Sequence, residues 1–235
     1  MEIHVIRGKK IVVAHRRRRG AKFSQKMVID KTTPITTLFL DIGGVLLSNG
    51  WGHVSRKLAA QVFNLDSDEM EERHLLNKGT LESGKLTLKE YLQRVVFFEE
   101  RTFTPDQFQA FMFTQTTPHL EMIELIQQLK KKYQLKIAAV SNEGRELNAY
   151  RIKAFKLNQF VDFFISSCYV HLSKPDLDIF RLALDMAQVP AEQIVYIDDT
   201  LQFVEIARDL GIWGIRHTSH LSTSEALAVM GLEVA

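Results

Sequence analysis

The chain has 235 residues, of which 46% are hydrophobic and 25% charged, a composition that is ordinary for a globular protein. No apolar run approaches the ~20 residues of a transmembrane helix, so we expect no membrane partner. The single cysteine, Cys168, excludes an internal disulfide and a multi-cysteine metal site.

The first 33 residues have a strongly positive net charge. They hold ten Lys or Arg and two acidic residues, which gives a net charge of +8. Because the whole chain has a net charge of +2, the remaining residues have a net charge of −6. The segments EIHVI and IVVAH predict a small hairpin, and the run HRRRRG follows. The run has neither interleaved aromatic residues nor an amphipathic helix behind it. This favours a solvated extension over a nucleic-acid arm, a membrane-surface patch or a transit peptide.

The stretch TLFLDIGGVLLSNG, residues 37–50, predicts the first strand of a sheet. An apolar run ends abruptly in Asp41, and Gly43 and Gly44 follow it. Such a run, closed by a glycine turn, is typical of a buried parallel strand. Ligands of open α/β sheets bind beyond the carboxyl ends of the strands, which is where Asp41 would lie. The alternative is an Asp that caps the next turn.

Residues 51–117 show apolar residues at three- and four-residue spacings and predict helices only. Thr87 is a candidate start for the third helix, and Thr104 with Pro105 for the fourth. The predicted organisation is an N-terminal extension (1–33), a helical insert (51–117) and an α/β core (34–50 and 118–235).

From residue 118 onward the pattern alternates between helix and strand. Helices are predicted at 119–133, 146–155, 176–188, 201–210 and 224–229, and strands at 136–140, 160–166, 194–198 and 212–216. The alternation indicates a doubly wound parallel sheet with helices on both faces. We expect Leu120 to face inward with Ile123, Leu125, Ile126 and Leu129. We expect Cys168 to pack within a strand.

Three later stretches end in polar residues. KIAAVSNEG ends its apolar run at Ser141 and Asn142, HLSKPDLDIF places Lys174 before a proline, and IVYIDDT ends in Asp198 and Asp199. Taken singly, each fits a plain turn, a surface lysine before a helix, or a helix cap.

Taken in order with Asp41, these stretches resemble the four motifs of the haloacid dehalogenase-like hydrolase superfamily, from about residue 35 to the C-terminus. The resemblance implies a Rossmann-like α/β core, with residues 51–117 as a helical cap inserted after the first motif. A cap of this kind shields the site and contacts the substrate.

The residues at two strand ends fit a metal-dependent attack on phosphorus. Asp41 would be the nucleophile and would form an aspartyl-phosphate. Mg²⁺ favours one or two carboxylates, and Asp41 and Asp199 fit as ligands. The resemblance adds the backbone carbonyl of Gly43, and Asp198 would be a further ligand or an immediate neighbour.

The remaining motif residues would handle the phosphate group. The Ser141 hydroxyl and the backbone N–H of Asn142 would bind a phosphoryl oxygen. Lys174 would neutralise the charge of the nucleophile and of the phosphoryl group, which suits a compact point charge.

Two positions depart from the family pattern. Most phosphatases of the superfamily carry an Asp general acid where this chain has Gly43, although a subgroup with a DxGGV-like motif includes sugar-phosphate phosphatases. Phe203 stands where the family often has Asp or Asn. A replacement proton donor would come from the cap, and His53 is a candidate by position.

We therefore expect a Mg²⁺-dependent phosphomonoesterase that acts on a small phosphorylated metabolite, with sugar phosphates among the candidates, in the cytoplasm. One alternative is a 2-haloacid dehalogenase, which needs no metal. Another is a catalytically silent binding protein, suggested by Gly43 and Phe203. We do not expect a nucleic-acid partner.

Overall fold

The computed structural model describes residues 34–234 and three strands of the N-terminal region. These are β1 (Glu2–Ile6), β2 (Lys10–Ala14) and β3 (Met27–Asp30). The chain divides into two compact units, Met1–Pro34 and Ile35–Ala235. In the first unit β1 pairs with β2 and β2 with β3, all antiparallel. The predicted hairpin is confirmed, β3 was not predicted, and the Arg run at 15–20 lies outside the described residues.

The second unit is built on a parallel sheet of five strands within the range 34–234 that the structure describes. They are β4 (Thr37–Leu40), β5 (Lys136–Ser141), β6 (Phe163–Ser166), β7 (Ile194–Asp198) and β8 (Trp213–Arg216). The strand order is β6-β5-β4-β7-β8, so the chain moves outward from β4 on one side and then returns to the other. The strand order reverses at β4, which makes its carboxyl end the expected ligand position.

Helices cover both faces of this sheet. They are α5 (Leu120–Tyr133), α6 (Arg145–Ala154), α7 (Ser167–Val170), α8 (Leu177–Ala187), α9 (Leu201–Asp209) and α10 (His220–Val229), with short 3₁₀ turns at Leu157–Gln159 and Ala191–Gln193. The residues of β4 alternate between two cores. Leu38 and Leu40 pack with α5 and α10, whereas Phe39 packs with α8 and α9. The predicted α/β class with a doubly wound parallel sheet is confirmed.

Residues 51–117, all of them described, contain four helices and no strand: α1 (His53–Val62), α2 (Ser67–Glu82), α3 (Leu88–Val95) and α4 (Pro105–Thr114). Thr87 and Thr104 form capping boxes with Glu90 and Gln107, as the predicted starts require. Apolar residues of these helices, among them Tyr91 and Phe108, form a core that Leu147 of α6 joins. The domain boundaries drawn at residues 50 and 117 stay a prediction.

Two sequence-based expectations are wrong. Leu120 is 63% exposed, because it stands two residues, or about 200° of helix rotation, from the buried stripe that begins at Met122. Cys168 is buried, but it lies on α7 because β6 ends at Ser166. Each helix among the described residues is too short or too polar to cross a membrane.

Candidate active site

The carboxyl end of β4 places Asp41 next to β7. The Asp41 N–H donates to the Ile197 carbonyl at 2.9 Å, and the Asp41 carboxylate accepts the N–H of Ile42 at 2.8 Å. Gly44 has a φ of +76°, and a Cβ there would collide with the Asp199 carboxylate. The glycine turn after β4 therefore lets the backbone pass close to the end of β7.

The end of β7 holds two carboxylates with different surroundings. Asp198 is fully buried, and its oxygens accept the N–H of Thr200 at 2.7 Å, the ammonium of Lys174 at 2.7 Å and the hydroxyl of Tyr196. Asp199 is partly exposed, and it accepts a long hydrogen bond of 3.4 Å from the Asn49 amide. Asp198 is thus committed to protein partners, whereas Asp199 faces the cavity.

Lys174 lies between the two strand ends. Its Nζ is 3.1 Å from Asp41 Oδ1 and 2.7 Å from Asp198 Oδ2, and its side chain is 1% exposed. Burial acts to lower the pKa of Lys174, but Asp41 and Asp198 more than offset this, so its pKa lies above the ordinary value. Lys174 is therefore a permanent cation at the centre of the cluster.

Asn142 fixes the position of Lys174. The Asn142 amide donates to the Lys174 carbonyl at 2.7 Å, and its oxygen accepts the Lys174 N–H at 2.9 Å. A side-chain amide that bonds both the N–H and the C=O of one residue holds that backbone in place. The sequence predicted only a backbone role for Asn142, so this side-chain role was missed. Ser141 is 2% exposed at the end of β5.

These residues share one cavity of about 360 Å³. It lies between the carboxyl ends of the parallel strands (the sheet edge) and the helices of residues 51–117. Asp41, Gly43, Ser141, Asn142, Lys174 and Asp199 line it from the sheet side. The volume suits a small metabolite. The structure brings together the predicted residues of all four motifs, and it places fully buried Asp198 directly behind the cavity wall.

The carboxylates of Asp41, Asp198 and Asp199 form a cluster that could hold a metal ion. One oxygen from each lies within 4.8 Å of the others. Burial raises the pKa of Asp41 to about 6; Lys174 opposes the rise and Asp198 adds to it. Lys174 supplies one positive charge against three carboxylates, so the cluster favours a further cation.

Side chains of the helical insert form the opposite wall of the cavity. Arg56 is buried; it donates to both oxygens of Glu71 at 2.7 Å and to the Trp51 carbonyl at 2.7 Å. This pair holds the pKa of Glu71 down at about 2. His53 also lines the cavity, but it is 71% exposed, and its Nδ1 lies 3.6 Å from Glu71.

A buried chain of hydrogen bonds supports the same wall. The Trp51 indole N–H donates to the Tyr91 hydroxyl at 2.9 Å, and that hydroxyl lies 2.8 Å from His74 Nδ1. The Tyr91 hydroxyl can accept the indole N–H and donate its own proton to Nδ1 when the His74 ring is neutral with its proton on the other nitrogen. Burial lowers the pKa of His74 to about 4, in agreement with a neutral ring.

Arg151 on α6 ties both junctions of the insert to the core. Its guanidinium donates to the Ser48 carbonyl at 2.5 Å, to the Thr116 hydroxyl at 3.3 Å and to the buried Glu143 carboxylate. Ser48 precedes the first insert helix and Thr116 follows the last. No motif in the sequence marks Arg151, because its partners come from three separate segments.

The structure shows what surrounds Gly43 and Phe203, the two positions that depart from the family pattern. A Cβ on Gly43 would lie 3.0 Å from Asn49 Oδ1, so a larger residue there requires a small shift of the Asn49 side chain. The Phe203 ring centroid lies 5.0 Å from Lys174 Nζ, within cation–π range. Phe203 therefore covers the ammonium with an aromatic face where a carboxylate would add negative charge.

A haloacid dehalogenase-like hydrolase family model matches residues 35–211 of the chain. This match spans four of the five strands of the parallel sheet, from β4 to β7, together with the helical insert and every motif residue named above. The chain belongs to the haloacid dehalogenase-like hydrolase family. The resemblance inferred from the four motifs is thereby confirmed, and the protein is an enzyme of the hydrolase class.

Solved structures share this hydrolase fold at low sequence identity. A family enzyme from Bacteroides thetaiotaomicron, crystallised with magnesium and inorganic phosphate, has a TM-score of 0.65 and 20% identity, covering 80% of this chain and 98% of that one. A predicted hydrolase from Porphyromonas gingivalis has a TM-score of 0.66 and 19% identity, covering 85% and 99%. The L-2-haloacid dehalogenase RSc1362 has a TM-score of 0.60 and 16% identity, covering 79% and 87%.

The curated relatives match a short segment. Bifunctional epoxide hydrolase 2 from Sus scrofa is 37% identical over 57 residues, and the enzyme from Rattus norvegicus is 35% identical over 57. The match covers 24% of this chain and spans about a tenth of the length of these relatives.

Proposed function

We propose that this hydrolase is a Mg²⁺-dependent phosphomonoesterase that acts on a small phosphorylated metabolite through an aspartyl-phosphate at Asp41. The observation that carries the proposal is the charge of the cluster at the sheet edge. Three carboxylates face one lysine, and their oxygens converge within 4.8 Å. Such a cluster needs a cation before it can receive an anionic ester.

The proposed metal ligands are the carboxylates of Asp41 and Asp199 and the backbone carbonyl of Gly43. Asp198 serves as a neighbour, because both of its oxygens already accept hydrogen bonds. A bound Mg²⁺ neutralises phosphoryl charge that would otherwise repel the nucleophile. The Bacteroides enzyme of the same fold, crystallised with magnesium and inorganic phosphate, supports this choice of ligand and metal.

The chain's own residues supply the remaining steps. Asp41 attacks the phosphorus in line with the leaving oxygen, and a covalent intermediate divides one difficult step into two. Lys174, 3.1 Å from Asp41 Oδ1, orients the nucleophile and neutralises a phosphoryl oxygen. The Ser141 hydroxyl and the Asn142 N–H bind another phosphoryl oxygen, and the Asn142 side chain keeps Lys174 in position.

The dehalogenase alternative fits the carboxylate cluster less well. A 2-haloacid carries its own carboxylate, and the reaction at carbon needs no metal. Asp199, which faces the cavity, would then repel the substrate, because the single charge of Lys174 does not balance the three carboxylates of the cluster. The dehalogenase among the similar structures shares the fold, at 16% identity.

A paired assay tests the proposal. We expect the purified chain to release phosphate from para-nitrophenyl phosphate and from a panel of sugar phosphates when Mg²⁺ is present. Activity should disappear in EDTA and return when Mg²⁺ is added in excess. Halide release from 2-chloropropionate that persists in EDTA, without phosphate release, would reject the phosphatase in favour of the dehalogenase.

A further inference from the structure

The segment after β4 carries the nucleophile Asp41 but no proton donor, because Gly43 stands at the position of the usual general acid. Three glutamates line the cavity and are candidates for the proton donor: Glu82, Glu143 and Glu146. Glu143 is engaged by the guanidinium of Arg151. Glu146 also lines the cavity, and one of its oxygens is buried without a hydrogen-bond partner. Glu82 is the candidate whose charge is influenced by both Asp41 and Lys174.

The last turn of α2 is fastened to the core beside the sheet edge. The Ser167 hydroxyl donates to the Glu82 carbonyl at 2.6 Å, and the same hydroxyl accepts the N–H of Glu143 at 3.0 Å. The His171 ring nitrogen Nδ1 lies 2.7 Å from the Ser83 carbonyl. One hydroxyl thus joins the insert to the loop after β5, so the backbone of Glu82 has a fixed place at the cavity wall.

Two glycines permit this close contact. Gly144 faces Leu81, and a Cβ on Gly144 would lie 3.0 Å from Leu81 Cγ. Gly84 has a φ of +69°, and a Cβ there would collide with the Cys168 carbonyl. Larger residues at either position would lift the end of α2 from the core and carry Glu82 away from the site.

The surroundings of Glu82 bring the pKa of its carboxyl close to neutral pH. Burial raises its pKa to about 7. Lys78, whose Nζ lies 3.8 Å from a Glu82 oxygen, and Lys174 oppose the rise. Glu143 and Asp41 add to it. A group with a pKa near the working pH can give a proton in one step and accept it back in the next.

We propose that Glu82 is the general acid and base of this hydrolase, an inference that rests on the proposed phosphatase function. In the first step a bond forms between Asp41 and phosphorus and the bond from phosphorus to the leaving oxygen breaks. The proton of Glu82 passes to that oxygen, so the alcohol leaves neutral. In the second step the Glu82 carboxylate takes a proton from the water that attacks phosphorus. The bond between phosphorus and Asp41 breaks and phosphate leaves. Asp41 is then a carboxylate again, and Glu82 is protonated again.

Leaving groups of different basicity separate this role from a structural one. The alkoxide of an alkyl phosphate needs the proton in order to leave, whereas para-nitrophenyl phosphate releases para-nitrophenolate, which is a stabilised anion. We expect Glu82→Gln to lower kcat/KM for n-propyl phosphate by roughly 10²–10⁴-fold, the usual contribution of general acid catalysis. The loss for para-nitrophenyl phosphate should be far smaller. kcat/KM is the relevant constant, because it covers substrate binding and formation of the aspartyl-phosphate but not the hydrolysis of that intermediate.

The pH profile gives a second readout. With n-propyl phosphate the wild-type kcat/KM should fall as pH rises through about 7, since Glu82 must be protonated for the first step. Glu82→Gln should not show this decrease in kcat/KM. Glu72→Gln, an exposed change of the same kind on the same helix, should behave as wild type. Adding Gly43→Asp to Glu82→Gln should restore part of the alkyl activity.

The results that would overturn the assignment are distinct. Equal losses on both esters, or an unchanged decrease in kcat/KM with pH in folded Glu82→Gln, would show that Glu82 does not donate the proton. A selective alkyl loss in Glu146→Gln instead would move the role to Glu146. If Glu82→Gln does not fold by circular dichroism, Glu82→Asp applies the same test with a shortened acid. Failure of wild type on both esters would instead reject the phosphatase function itself.

Discussion

The edge of the sheet and the helical insert build opposite walls of one cavity by different means. At the sheet edge, Asp41, Ser141 and Asp198 stand within one residue of a strand end, so the strands alone bring them together. In the insert, the wall depends on contacts between different helices, such as Arg56 of α1 with Glu71 of α2. The geometry of the sheet edge therefore follows from the pairing of the strands, whereas the geometry of the insert wall follows from contacts between helices.

The two walls also differ in how their charges are balanced. The sheet edge holds an excess of carboxylates around Lys174, which leaves room for a metal ion. The insert balances its own charges with a complete ion pair, Arg56 with Glu71, and with a neutral His74. Substitutions at the sheet edge should therefore mainly lower the catalytic rate. Substitutions in the insert should mainly change protein stability or substrate selectivity.

The largest effect is expected at Asp41. Asp41→Asn keeps the size of the side chain but removes the nucleophile, so turnover of para-nitrophenyl phosphate should fall by roughly 10⁴-fold or more. Asp185→Asn, an exposed change of the same kind on α8, is the control. Turnover near the wild-type rate in a folded Asp41→Asn protein would remove Asp41 from the mechanism.

Lys174 should link the chemistry of the sheet edge to its stability. Lys174→Met leaves Asp41 and Asp198 buried without their cation, and breaking a buried ion pair in this way costs about 3–5 kcal/mol. Chemical denaturation in EDTA measures this loss, and Lys78→Met, which removes a half-exposed lysine from the same cavity, is the control. An unchanged unfolding free energy would show that the carboxylates do not depend on Lys174.

His74 offers a test of the insert through pH. Its pKa is about 4 in the folded protein against the ordinary 6.5, so between these values the unfolded chain binds more protons. Stability should therefore decrease as the pH falls from 6.5 to 4, and the contribution is complete above 6.5. Thermal unfolding of His74→Gln should show a shallower pH slope, whereas the exposed change His53→Gln should keep the slope. The wild-type slope in His74→Gln would contradict this account.

The smallest effect is expected from removal of residues 1–33. Their net charge of +8 contrasts with the −6 of the remaining chain, and they precede β4. The shortened protein should keep its turnover with saturating Mg²⁺ and its thermal midpoint. A fall in turnover by an order of magnitude would show that the N-terminal region contributes to the site.

The sequence predicted the sheet edge better than the insert for a physical reason. A polar residue directly after an apolar run marks a strand end, and parallel strands bring such ends together. Glu82 carries no comparable signal, since α2 contains several glutamates that differ only in what they pack against. The side-chain role of Asn142 and the partners of Arg151 also depend on contacts between segments that are distant in the chain.

The central claim is that Asp41 carries the phosphoryl group during turnover. Quenching the enzyme with sodium borohydride during hydrolysis of para-nitrophenyl phosphate reduces an aspartyl-phosphate to homoserine, which peptide mass spectrometry can locate. We predict homoserine at position 41 in wild type with Mg²⁺ and none without substrate. Steady turnover at the moment of quenching, with Asp41 recovered only as aspartate, would contradict the claim.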